Sequence, residues 1–149
     1  MGRGFRTNAE GAQQLRELLA PLGVTVLDYD LPYFTGPAAC LHLLSLISPV
    51  DVDLAVAYSP LMPTAFWEEL RRRGVRLLEV PEDEFAHTQA TNVLCVAPRH
   101  VIMLAGSPVT EGLLEAAGCE VVTFPGEPLS FKAEGGPTCL TRPVWRAAD

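Results

Sequence analysis

Apolar positions fall into two rhythms along the chain. Three segments repeat them at the three-to-four-residue spacing of an amphipathic helix. The first begins near Ala9, where Thr7 and Glu10 have the spacing of a capping box, and carries Leu15, Leu18, Leu19 and Leu22 before Pro21 and Gly23 end it. The second starts after Pro63 and runs through Ala65, Phe66, Trp67 and Leu70 to Arg73, with Gly74 as its stop. The third begins near Pro108, carries Glu111, Leu113, Leu114 and Ala117, and stops at Gly118. A short β-like run follows each helix at once, at 24–27, 75–80 and 119–124. Two further runs precede the second helix, at 41–47 and 53–58, and two precede the third, at 92–96 and 101–104.

The order strand, strand, helix, strand therefore occurs twice. The helix ends share one plan in which a leucine leads to a glycine stop and then to Val24, Val75 or Cys119 opening a strand. This spacing predicts an array of ββαβ units. The bland alternative is an ordinary α/β sandwich whose helices all happen to end in glycine. The array reads as open at both ends. The first unit offers only its helix and last strand, and a Pro- and Gly-rich stretch after Phe124 leads to 137–140, which reads as the start of a further unit.

Composition narrows the picture. The chain has 149 residues, room for a single domain over 1–149 with a sizeable core. Its 48% hydrophobic and 19% charged residues exclude disorder, and a net charge of −7 argues against nucleic acid as a partner. Residues 31–50 are long and uncharged enough to suggest a membrane span, but Pro32, Pro37, Pro49 and His42 argue against a lipid-exposed helix. With no apolar leader segment behind Met1, a cytoplasmic protein is expected. Cys40, Cys95, Cys119 and Cys139 are far apart without a Cys-x-x-Cys pair, so free thiols are expected rather than disulfides or a zinc knuckle. No two histidines have metal-ligand spacing, and no cofactor is expected.

Cys139 is the candidate nucleophile. It follows Glu134-Gly135-Gly136-Pro137-Thr138, a backbone that can expose one side chain at a turn. The alternative is a buried structural thiol, the expectation for Cys40, Cys95 and Cys119 inside apolar runs. His42, read on a strand with Leu44 on the same face, is either a hydrogen-bonded core residue or a general acid/base. His87 and His100 read as solvated, Arg71-Arg72-Arg73 as a helix end, and Asp51 and Asp53 as turn formers. Arg6, just before a helix N-terminus, can clamp a carboxylate or be an ordinary surface arginine.

Four segments in this order are more specific than any one alone: Gly-Arg-Gly-Phe-Arg-Thr-Asn-Ala-Glu-Gly at 2–11, Leu-His-Leu-Leu-Ser at 41–45, Thr-Asn-Val-Leu at 91–94 and Gly-Gly-Pro-Thr-Cys-Leu-Thr-Arg-Pro at 135–143. Together they resemble the guanidine-modifying (pentein) superfamily of dimethylarginine dimethylaminohydrolases, arginine deiminases and amidinotransferases. The resemblance implies a five-bladed propeller of ββαβ modules, of which this chain would hold about three, as its C-terminal part. It implies Cys139 as the nucleophile on a guanidinium carbon, His42 as general acid/base and Arg6 as binder of the substrate carboxylate. The reaction implied is hydrolysis of an arginine derivative to citrulline and an amine through a covalent thioether.

Two departures qualify this. Deiminases carry an acid two positions after the histidine, where this chain has Leu44, which leaves the dimethylarginine type nearer. Members of the family carry the acids that grip the guanidinium in an N-terminal half, and no acidic residue here obviously replaces them. A complementing half or self-association is therefore expected to complete the site. The competing readings are a non-catalytic module that binds an amino acid or a partner, and an amidinotransferase.

Overall fold

The computed structural model describes residues 1–39 and 41–145. Cys40, expected in the core, lies outside the described residues. The first unit is β1 (Gly2–Arg3), α1 (Ala9–Leu19) and β2 (Tyr29–Asp30), with β1 and β2 parallel. The cap of α1 is one residue later than the Thr7–Glu10 spacing suggests. The Asn8 side chain accepts from the Gly11 N–H at 2.8 Å, while Thr7 is engaged in a bridge with Gly4. No strand forms at 24–27. Pairing starts at Tyr29, where Arg3 on β1 meets Asp30 at 2.8 Å and Arg16 meets Asp28 at 2.6 Å. Of the expected leucine stripe on α1, Leu18 and Leu22 are more than two-thirds exposed, and Ala12 is the helix's buried residue.

The two complete units are near copies. In the first, β3 (Ile47–Asp51) runs antiparallel to β4 (Leu54–Ala57), and α2 (Thr64–Arg72) leads to β5 (Arg76–Glu79), which is parallel to β4. A seven-residue helix, α3 (Glu82–Thr88), leads to the second unit and has no counterpart in the periodicity reading. There β6 (Leu94–Ala97) is antiparallel to β7 (His100–Leu104), and α4 (Pro108–Ala116) leads to β8 (Glu120–Phe124), parallel to β7. A final helical turn, α5 (Ser130–Ala133), follows.

The shared helix ending has a physical basis. Gly23, Gly74 and Gly118 all have φ between 71° and 82°, a left-handed conformation open to glycine. After each glycine the next residue's N–H returns to the leucine carbonyl five positions back. These bonds are Val24 to Leu19 (3.3 Å), Val75 to Leu70 (3.0 Å) and Cys119 to Leu114 (3.0 Å). This is the Schellman closure, with an apolar residue on either side of it. The repeat seen in the sequence is thus one hydrogen-bonded device used three times.

β4 is buried at all four positions because its sheet is covered on both faces. One face meets Phe66, Trp67 and Leu70 of α2, and the other joins the core of Val50, Val56, Leu78, Val101, Met103 and Leu114 between the units. Cys119 is buried in that core, and Cys95 packs against it half-buried. The units are also tied at their hairpin tips, where the Arg99 guanidinium holds Asp51 at 2.7 Å and Asp53 at 2.8 Å and donates to the Ala117 carbonyl at 2.7 Å. No helix among the described residues is long and apolar enough to cross a membrane.

Candidate active site

The strand expected at 41–47 starts only at Ile47. Before it, residues 43–45 form a 3₁₀ turn capped by His42. The His42 N–H donates to Ser45 Oγ at 3.1 Å, and the His42 side chain faces the Ser45 N–H in return. A polar pair spaced i, i+3 can close a turn in this reciprocal way. Alternation of leucines obscured that local chemistry. His42 and Leu44 are exposed, whereas Leu41, Leu43 and Ser45 are half-buried.

Residues 137–140 begin no strand. They form a turn in which Cys139 N–H and Leu140 N–H both donate to the Gly136 carbonyl at 3.1 Å. The turn exposes Cys139 at the head of a buried Gly135-Gly136-Pro137 segment. Close approach demands the second glycine and crowds the first. A Cβ on Gly135 would stand 3.0 Å from the Cys139 Cβ, and one on Gly136 would stand 2.5 Å from Asn92 Cγ. The loop therefore lies flat against Asn92, just ahead of β6. Asn92 Oδ1 accepts from Thr138 N–H at 2.9 Å, and its Nδ2 lies 2.9 Å from Cys139 Sγ.

The Cys139 loop and the His42 turn open onto one cavity of about 450 Å³, whose wall includes Phe34, Leu41, His42, Asn92, Glu134 and Cys139. Thr91 ties the two together. Its Oγ1 donates to the Ser45 carbonyl at 2.8 Å, inside the His42 turn, and its carbonyl accepts from buried Ser48 Oγ at 2.6 Å. Val93 N–H returns to the same Ser48 hydroxyl at 3.2 Å. Asn92 is thus held on both sides by hydrogen bonds into β3.

Two residues at this site escaped the sequence reading. Glu134, at φ 53°, is an acidic residue of the wall, and its backbone N–H donates to the Ser130 carbonyl. It is an acid where none was expected, and its place in the motif before Cys139 was the available signal. Asn92 sat within a quoted motif, but its contact with Cys139 is set by tertiary structure alone. Arg6 lies in the exposed turn between Gly4 and Thr7 and does not line this cavity. Its neighbour Phe5 packs edge-on against Tyr33, the residue before wall-lining Phe34.

The remaining cysteines are placed differently. Burial is the main cause that pushes the Cys119 thiol up from its ordinary range, favouring the unreactive protonated form. The Cys95 Sγ lies 3.2 Å from the Val50 carbonyl. His100 faces Glu120 at 3.3 Å, and Arg72 and Arg73 both hold Glu69 at 2.6 Å.

Comparison with known proteins agrees with this architecture. Residues 59–146 match the family model for arginine deiminase. The chain is 34% identical over 144 residues to an N(G),N(G)-dimethylarginine dimethylaminohydrolase of Streptomyces coelicolor, covering 95% of this chain and 48% of that protein. It is 30% identical over 176 residues to an arginine deiminase of Mycobacterium marinum, covering 98% and 43%. A solved dimethylarginine dimethylaminohydrolase of Pseudomonas aeruginosa, a cysteine-to-serine mutant complexed with citrulline, superposes with a TM-score of 0.71 at 26% identity. That match covers 91% of this chain and 47% of that one. The chain spans about half the length of these relatives. Its paired ββαβ units, its cavity and these matches together place it in the arginine deiminase family of the guanidine-modifying superfamily.

Proposed function

We propose that this chain carries the nucleophile and the acid/base of an enzyme that hydrolyses the guanidino group of an arginine derivative, of dimethylarginine type, to citrulline and an amine. The observation that carries this reading is the shared cavity: Cys139 and His42, far apart in sequence, line the same wall, with an acidic residue beside them.

The chemistry follows from those groups. The Cys139 sulfur, as thiolate, forms a bond to the guanidinium carbon. The bond from that carbon to the departing nitrogen breaks, and the nitrogen takes a proton from His42 and leaves as an amine. His42 then takes a proton from water, whose oxygen bonds to the same carbon. The carbon–sulfur bond breaks and the thiolate is restored. Two displacements through sulfur replace one difficult displacement by water. Glu134 offers a negative charge to a cationic substrate in a partly dry site, where an unpaired cation is costly. Arg6, which the family motif implies as the binder of the substrate carboxylate, stands in the turn between Gly4 and Thr7, outside the cavity wall.

The two complete units and the partial one are read as about three modules of a five-bladed propeller. The remaining modules, supplied by further chain or by a partner, add the acids that grip the guanidinium. The exposed Leu18 on α1 and Leu22 in the 3₁₀ turn after it support this, because a folded domain rarely leaves a leucine stripe bare. Leu44 in place of an acid favours a methylated guanidine over arginine itself. Citrulline release assayed with both substrates, on the assembled enzyme, is expected to be faster with the methylated one. Equal or preferential use of arginine would overturn the dimethylarginine assignment.

A further inference from the structure

We infer that Asn92 activates and aims the nucleophile, as a hydrogen-bond donor to the Cys139 sulfur and a clamp on the loop that carries it. The inference rests on Cys139 being the nucleophile, and it adds a residue to the same site. The orientation of the Asn92 amide is set by its neighbours. Thr138 N–H can only donate, so the atom facing it at 2.9 Å must be Oδ1. That leaves Nδ2 toward Sγ, also at 2.9 Å. An N–H aimed at sulfur holds that atom in place for attack on carbon and steadies the charge that returns to it when it departs.

The surroundings permit little else. Gly136 has no Cβ, and any side chain there would overlap Asn92, the nearest approach being 2.5 Å. Thr91 and Val93 on either side are tied to Ser45 and Ser48, which fixes the Asn92 backbone relative to the His42 turn. One side chain thereby holds both the sulfur and the loop that carries it. On forming the thioether the sulfur loses its negative charge and the bond to Nδ2 weakens. It strengthens again as the thiolate departs, so Asn92 assists the second displacement by stabilising the leaving group.

The test separates donor from clamp. Asn92→Asp keeps an oxygen for Thr138 N–H, but replaces the donor at sulfur with a negative charge. Alkylation by iodoacetamide at pH 7, read at the Cys139 peptide by mass spectrometry, is expected to slow about tenfold or more in N92D. Native Cys139 is also expected to alkylate faster than the same peptide in the urea-unfolded wild-type chain, a comparison that needs no variant. Wild-type alkylation in a folded N92D protein, or slower alkylation of native than of unfolded Cys139, would overturn the inference. Because iodoacetamide reports on the sulfur without a guanidino substrate, the result is independent of whether citrulline is formed.

Discussion

Replacing Cys139 by serine is expected to abolish citrulline release by the assembled enzyme, a loss of at least about a thousandfold. A hydroxyl at the tip of the 137–140 turn fits the same space, because the loop is shaped by Gly135, Gly136 and Asn92 rather than by the sulfur. Folding should therefore be unchanged, and the loss should appear in turnover and not in the thermal melt. His42→Ala is expected to slow turnover by about a hundred- to ten-thousandfold, the usual weight of a general acid/base. The two variants should fail differently. Without the sulfur no covalent species forms, whereas without His42 a thioether made from a substrate whose leaving group needs no proton lacks activated water and accumulates. Intact-mass measurement during turnover distinguishes them, with an adduct expected in H42A and none in C139S.

Glu84→Ala is expected to be the most destabilising single change outside the cavity. Glu84 is 5% exposed, and its carboxylate accepts from Val109 N–H (2.8 Å), Thr110 N–H (2.9 Å) and Thr110 Oγ1 (2.6 Å). The N-terminus of α4 has no capping side chain of its own, so a carboxylate from α3 satisfies its free donors and complements its dipole. Truncation leaves three donors without a partner in a dry site, at a cost of about 3 kcal/mol. For a domain of this size that lowers the melting temperature by roughly 10 °C. A drop of a degree or two in a thermal melt would show that water replaces the carboxylate. Because α3 also contributes Phe85 and Ala86 to the cavity wall, the same variant is expected to loosen the site.

These three residues show what the sequence made legible. The ββαβ unit was readable because its punctuation is local, the Schellman closure depending only on a leucine, a glycine and the residue after it. Strands 54–57, 76–79 and 100–104 were readable for the same reason, as short apolar runs between turn signals. Around the cavity, pattern reading fell short. The His42 segment alternates like a strand, but the His42–Ser45 pair closes a turn instead. The cap of α4 comes from Glu84, 25 residues before Val109, so no local signal announces it. The α1 leucines have helical spacing, but no described residue covers Leu18 or Leu22, and periodicity says nothing about what a face meets. The exposure of Cys139 at a turn was legible through Gly135-Gly136, although the close approach of those glycines to Asn92 and to the cysteine itself is visible only in three dimensions.

The central claim is that Cys139 and His42 form a site for a cationic amidine-like carbon. Its most direct test is labelling of the folded chain at pH 7 by a haloacetamidine, with the uncharged haloacetamide as reference, read peptide by peptide. The account predicts a single adduct at Cys139, formed faster with the cationic reagent than with the neutral one, and slowed by His42→Ala. Cys119, whose thiol is held protonated by burial, should remain unmodified. Slow, equal labelling of the cysteines, or no preference at Cys139 for the charged reagent, would contradict it.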